Sequence, residues 1–209
     1  MAEKSKEKLS FIEDARRKQI IESAIETIAA QGYQRATLDL IAENVNVTKG
    51  VITYHFANKD ELIECVLERI LQEQRQHREA RVNACSGAWE KLQAFIQADI
   101  DFFTQFPQFQ TALIELWGSI TTRDEKKSFE EGAYQPPRRL LEDILQQGQA
   151  DGEFAAFNPV ETAAVIIAML DGLMIQQVFT DGQLDLQKCG QEVLRFCRQS
   201  LLMPDHNTH

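Results

Sequence analysis

An all-α fold is predicted by three observations. Glycine and proline are scarce, 10 and 5 in 209 residues. Apolar residues recur at spacings of three and four through almost the whole chain, and the glycines, prolines and capping residues stand where those periodic segments end. The length accommodates one generous domain or two small ones, either with a substantial core. With 44% hydrophobic and 26% charged residues, the composition is that of an ordinary globular protein.

The first helix is predicted from about Phe11 to Gln31, where Ile20, Ile21, Ala24, Ile25 and Ile28 form one apolar stripe; Gly32 is its stop. Short elements follow as far as Phe56. Asn58 can then accept from first-turn amides, with Glu61 three residues on as in a capping box. It opens a helix through Leu62, Ile63, Val66, Leu67 and Ile70 to about Arg81. Further helices are predicted from Ala88 to Gln105, from Phe109 to about Thr121, from Lys126 to Gln149, from Pro159 to Thr180 and from Leu186 to Leu202. Pro136 and Pro137 fall inside one of them and must kink or split it. Pro159 suits a first helical position after Asn158, and Gly182 closes that helix. Only Asp205 to His209 reads as a loose tail.

No apolar run approaches the roughly 20 residues that cross a bilayer, and Met1 to Lys8 is too charged for a signal peptide, so a cytoplasmic protein with no membrane partner is expected. The four cysteines, Cys65, Cys85, Cys189 and Cys197, form no CxxC pair. That predicts free buried thiols and leaves disulfide, redox and zinc chemistry without support.

Net charge is −10, which taken alone argues against a nucleic-acid partner. The distribution of charge alters that conclusion. Residues 1–60 carry nine basic and nine acidic side chains, whereas the other 149 carry 13 and 23. One part of the chain can approach an anion and the other cannot.

The segment from Arg35 to Lys59 asks for a particular shape. Thr37 can cap a short helix whose early Asp39 suits the positive end of the dipole, and Leu38, Ile41, Ala42 and Val45 give that helix one apolar face. Thr48 is a second N-cap, opening another short helix through Thr53. A tight connection between two steeply crossed helices needs a residue in the left-handed region, which Asn46 tolerates better than anything but glycine. Small Ala42 lets the helices approach. This is the logic of a helix-turn-helix, whose second helix would show Thr48, Lys49, Thr53, Tyr54 and His55 to a DNA major groove. The β-branched and aromatic run from Val51 to Phe56 reads equally as a short strand.

The stretch from the first helix through Leu62 resembles the DNA-binding domain of the TetR family of bacterial transcriptional regulators. The residues that carry the likeness are Thr37, Ile41 with Ala42, Asn46, the run Val47, Thr48, Lys49 and Gly50, then His55 with Phe56, and finally Lys59, Asp60, Glu61 and Leu62. Two positions depart from the usual pattern: Asn46 stands for a turn glycine, and the common tyrosine three residues after Gly50 is Thr53, with Tyr54 next. The resemblance implies phosphate contacts from Thr37, Thr53 and Lys59, and groove contacts from Lys49, Tyr54, Thr48 and His55. Gly50 would let the helix lie close to the duplex, or is a helix-packing glycine; His55 could instead bond within the domain. Lys4, Lys6 and Lys8 read as a DNA-touching arm or, with Glu3 and Glu7 between them, as a solvated tail.

The resemblance implies a DNA-binding domain at 1–58 and an effector-binding and dimerisation domain at 59–209. In the latter, Phe95, Phe102, Phe103, Phe106, Phe109 and Trp117 can line an apolar cavity or simply make core. Arg123 or Asp171 is a candidate to orient a ligand. The aromatic segment around Phe106 to Trp117 and the acidic one around Glu130 to Tyr134 suit an effector that is part apolar and part cationic. Phe102, Phe106, Phe109, Trp117 and Asp171 are the candidates for ligand contact.

The helix from Pro159 is apolar on more than one side. With Leu186, Cys189, Val193, Phe196 and Cys197 of the last helix it can make a four-helix homodimer interface. A monomer that keeps these helices in its own core is the rival. The expected protein is thus a ligand-responsive repressor on a palindromic operator. The alternative is a helical protein-interaction adaptor without DNA binding. No HExxH, GxSxG, Walker or GxGxxG motif is present, and Asp99 and Asp101, two apart on a helix, point to different faces. No enzyme, cofactor or metal is expected.

Overall fold

The computed structural model describes residues 2–180 and 182–202, with side chains from residue 12 onward. Lys4, Lys6 and Lys8 as an arm, and the tail from Asp205, therefore lie outside what is described. Among the described residues there are ten α-helices and an isolated Phe154–Leu202 bridge in place of any sheet, so the chain is all-α as its periodicity predicts.

The helices are α1 (Ala2–Gln31), α2 (Leu38–Asn44), α3 (Lys49–His55), α4 (Lys59–Val82), α5 (Ala88–Gln105), α6 (Pro107–Ser119), α7 (Arg123–Phe129), α8 (Gln135–Ala150), α9 (Pro159–Phe179) and α10 (Leu186–Leu201). The first begins nine residues before Phe11, through a run of Ala, Glu, Lys, Ser and Leu that holds no helix breaker. Gly32, at φ 80°, ends it.

The Pro136–Pro137 pair neither splits nor simply kinks its segment. Five residues ahead of it, Glu130 to Tyr134, wind as a π-helix between α7 and α8, with the Gln135 amide reaching back to the Glu130 carbonyl. Two successive residues without an N–H remove two donors from the i−4 ladder, and a wider turn is one way to let the chain stay helical across the gap.

Two compact units form. Among the described residues, one comprises those of 2–70 and 108–120; the other comprises those of 71–107 and 121–202. In the first, α1 packs on α2 and α2 on α3. Of the predicted stripe, Ile20, Ala24, Ile25 and Ile28 are completely buried and Ile21 is 8% exposed; Ile41, Ile52, Phe56, Leu62 and Val66 are buried with them. Polar groups pin α2 in place: buried Thr27 donates to the Ser23 carbonyl and accepts from Asn44 Nδ2 at 2.8 Å. The second unit is built on α5, α8, α9 and α10 around Leu92, Phe95, Ile96, Leu141, Leu145, Ile166 and Leu194.

α9 amends an expectation. Contrary to the expected absence of such a run, its 21 residues are long and apolar enough to cross a membrane. One side explains part of that: Ala163, Ile166, Ile167 and Leu170 are buried in this unit's own core, as are Leu186, Val193 and Cys197 of α10. Expected at an interface, those positions serve the monomer instead. The other side, with Val160, Val165 and Phe179 more than half exposed and Phe196 of α10 at 50%, is uncovered. The four cysteines are free thiols, but only Cys197 is buried. Cys65 and Cys189, on the borders of their helices' packed faces, and Cys85, in the connection after α4, are partly exposed where burial was expected.

Candidate nucleic-acid interface

Thr37 takes an extended N-cap conformation and its Oγ1 accepts from the Leu40 amide at 3.2 Å, which starts α2. The hydroxyl keeps its own proton to donate elsewhere. α2 lasts under two turns because Asn46 turns the chain at φ 53°, the one positive-φ position among the described residues that is not glycine. The Val47 amide then closes on the Ala42 carbonyl at 2.9 Å. Asparagine adopts this left-handed geometry at far lower cost than a β-branched residue. Thr48 follows as N-cap of α3, although its hydroxyl makes no capping bond.

α3 is helical throughout, which settles the strand alternative for Val51 to Phe56. Ile52 is fully buried beneath it and Phe56 is 1% exposed at its end. The opposite edge, with Thr48, Lys49, Gly50, Thr53 and Tyr54, is exposed. A Cβ added at Gly50 would meet only Thr48 Oγ1, at 3.6 Å, so tight helix packing does not explain that glycine.

Several polar groups on this edge have intramolecular partners. Lys49 Nζ pairs with Asp39 at 2.8 Å, both side chains at least half exposed. Thr53 donates to the Gly50 carbonyl at 3.2 Å. The Tyr54 hydroxyl, on a ring 73% exposed, donates to Glu13 at 3.1 Å, and that bond raises its pKa above the ordinary value. His55 is half-buried with its ring edge-on to Tyr54. Lys59 is turned inward: Nζ donates to the Tyr33 carbonyl at 2.9 Å and lies 4.3 Å over the Tyr33 ring, and desolvation holds its pKa below the usual lysine value.

Two residues that sequence reasoning does not single out are Arg17 and Glu115. Arg17 Nη1 donates to the His55 carbonyl at 2.6 Å, and its guanidinium lies 4.2 Å over Phe56. Glu115 of α6 accepts from the Tyr33 amide at 3.1 Å. Single basic and acidic residues on helical faces give no periodic signal, and only the approach of elements distant in sequence reveals such partners.

The second unit holds a buried polar cluster. Arg78 Nη2 and Nε sit 2.7 and 2.9 Å from Asp99 Oδ1, with both side chains at least nine-tenths buried, and the guanidinium stacks 4.9 Å over Phe95. Asp101 pairs instead with Arg81, so the two aspartates do point apart. Asp171 accepts from the Tyr134 hydroxyl; burial, reinforced by Asp99, pushes its pKa up to about 6. Of the candidate aromatics, Phe102 is fully buried and packs against Phe103 and Phe106, each with ring centroids 5.2 Å apart. Phe109 and Trp117 belong to the first unit, on α6.

Residues 20–66 match the family described as "Bacterial regulatory proteins, tetR family", and residues 88–202 match "BetI-type transcriptional repressor, C-terminal". The HTH-type transcriptional regulator BetI of Escherichia coli K12 is 23% identical over 192 residues, covering 91% of this chain and 96% of the relative. Among solved structures, a transcriptional regulator from Saccharomonospora viridis in complex with choline superposes with a TM-score of 0.83 at 20% identity, over 91% of this chain and all of the other. FadR of Bacillus subtilis in complex with stearoyl-CoA reaches 0.77 at 22% identity, over 85% and 95%. The exposed helix α3 on its left-handed turn, in a chain with these likenesses over both parts, leads to one assignment: the protein belongs to the tetR family of bacterial regulatory proteins and is a DNA-binding, ligand-responsive regulator of transcription, not an enzyme.

Proposed function

We propose that the protein is a cytoplasmic repressor that binds a palindromic operator as a homodimer, with residues 1–58 meeting the duplex, residues 59–209 holding effector and partner copy, and no membrane engaged. The observation that carries the DNA reading is α3 itself, buried on Ile52 and polar on its open edge. Thr48, Lys49, Tyr54 and His55 face the groove, Gly50 leaves room for the backbone to approach, and Thr37 and Thr53 supply hydroxyls to phosphates. Lys59 reaches a phosphate by exchanging its Tyr33 carbonyl. Repression is supported by the repressor description of the matched C-terminal family.

Lys49→Ala weakens binding to a duplex selected by the wild-type protein from a random pool. If Nζ leaves Asp39 for a phosphate, the log–log salt slope falls by roughly 0.9. If it meets a base edge, discrimination at one position relaxes by about 1–3 kcal/mol with the slope kept. Fluorescence anisotropy at three salt concentrations reads both, and unchanged affinity removes Lys49 from the interface.

The effector is a small organic cation held by the Asp171 carboxylate beside Tyr134. A half-buried carboxylate with a pKa near 6 lacks a full counter-charge, and an ammonium supplies one; aromatic faces in the same unit, such as that of half-buried Phe106, suit its methyl groups. The choline complex of the similar Saccharomonospora viridis regulator favours this class. Protonation of Asp171 competes with the cation, so choline affinity measured by calorimetry is constant well above pH 6 and falls as pH drops through about 6. Asp171→Asn lowers it at least about tenfold, the effect of losing one charge-assisted contact, and flattens that profile. Choline must also loosen operator by the factor by which operator loosens choline. Binding of stearoyl-CoA and none of choline would replace the cation with an acyl ligand.

A further inference from the structure

The recognition helix is seven residues long, too short to hold its own direction. At its N-terminus the Asn46 turn and the Lys49–Asp39 pair fasten it to α2. Its C-terminus ends in the Phe56 to Asn58 connection, where the chain bends into α4. Arg17, near the middle of α1, meets that end from three directions at once. Nη1 donates to the His55 carbonyl, in the last turn of α3, at 2.6 Å. Nη2 donates to Cys65 Sγ at 3.0 Å and faces Glu61 Oε1 at 3.6 Å, both on α4. The flat face of the guanidinium lies 4.2 Å over the ring of Phe56, the residue that ends α3 and is buried in the core.

We propose that Arg17 is a positioning residue for DNA recognition, fixing the angle of α3 against α1 and α4 so that Lys49 and Tyr54 arrive together at the groove.

Made simultaneously, these contacts use a geometry that lysine lacks. The rigid fork sends donors along two diverging directions, and the planar ion stacks on an aromatic face while doing so. A cation at the α3 carbonyl end also suits the helix dipole. Because Nη1, Nη2 and the flat face are held together on His55, Cys65 and buried Phe56, Arg17 acts through α3 and not on the duplex, in contrast to exposed Lys49. The proposal rests on α3 being the reading helix.

The test compares wild type, Arg17→Lys and Arg17→Ala on the duplex selected by the wild-type protein and on a scrambled duplex of equal length, across a salt series. Loss of aligned base contacts lowers operator affinity by roughly 10- to 100-fold in both variants. Scrambled-duplex affinity stays within about twofold and the salt slope is retained, because the phosphate contacts remain. Circular dichroism and thermal melting of Arg17→Lys, which keeps the stem and the charge, match wild type. The proposal is overturned if the slope falls by about one and both duplexes weaken together, which makes Arg17 a phosphate contact. It is equally overturned if Arg17→Lys binds operator as wild type does, or if both variants melt out, which makes it scaffold only. A wild-type chain that selects no duplex overturns the reading-helix assignment and this proposal with it.

Discussion

Replacing Arg78 with alanine lowers the stability of the folded chain by about 3–5 kcal/mol, the usual cost of stranding one member of a buried ion pair. Asp99 keeps its buried place on α5 but loses the guanidinium that sits 2.7 Å away. The carboxyl, which burial already holds above the usual carboxylate range, then keeps its proton to still higher pH. A group whose folded pKa is raised contributes stability that is present below the unfolded pKa and lost as pH rises through the folded one, so the deficit of Arg78→Ala grows with pH. Adding Asp99→Asn removes the stranded charge and recovers at least half of the loss, because a neutral amide is cheaper to bury. Urea unfolding at fixed protein concentration, at about pH 5 and pH 8 on either side of neutrality, checks both statements. At roughly 2–4 °C per kcal/mol for a chain of this size, melting falls by about 6–20 °C. A single variant that unfolds at the wild-type midpoint would mean the pair contributes nothing net.

Val165→Glu combined with Phe196→Glu is expected to abolish the homodimer proposed above and, with it, tight operator binding. Both positions are at least half exposed, and they line a groove of about 580 Å³ between α9 and α10 together with Phe157 and Met169. A second groove of about 510 Å³ shares Met169 and Phe196. An apolar surface this continuous suits an interaction site, and a two-fold interface there would set each new carboxylate against the partner copy's equivalent patch. Because little is packed there in the monomer, fold stability changes by less than about 1 kcal/mol per site, while removal of an interface aromatic costs about 2 kcal/mol or more. Losing the second reading head costs the linkage advantage, roughly 10²- to 10⁴-fold in operator affinity. Sedimentation equilibrium reads the oligomer and anisotropy the affinity. A double variant that remains dimeric moves the interface off α9 and α10.

Local chemistry makes the DNA-reading part legible in the sequence. Thr37 caps, Asn46 turns left-handed and Gly32 stops α1 because each of those roles is decided by one residue and its immediate backbone. The stripe of Ile20, Ala24, Ile25 and Ile28 is equally readable, since a helical period places it on one face whatever that face meets. The extent of α1 and the π-turn before Pro136 are less so. Several helical variants satisfy the same local pattern, and the choice among them depends on which carbonyls find donors.

Long-range partners lie beyond sequence reading. Lys59 reads as an outward cation until Tyr33, 26 positions away, engages it. Arg17 reads as one more base in a run of three, and Asp99 as half of an ordinary pair of acids. Of the apolar residues in α9, periodicity says only that there are too many for one face; burial alone separates Ala163, Ile166 and Ile167 from Val160, Val165 and Phe179. By itself, then, the chain's order of residues determined the long helices, the caps and the left-handed turn, all consequences of forces acting among near neighbours along the backbone, while Val51 to Phe56 stayed open between helix and strand until it was packed. Which charges meet, which carboxyl is starved of water and which oily flank is left for another molecule were decided only when distant segments packed, because desolvation and Coulomb energies depend on neighbours in space and not in sequence.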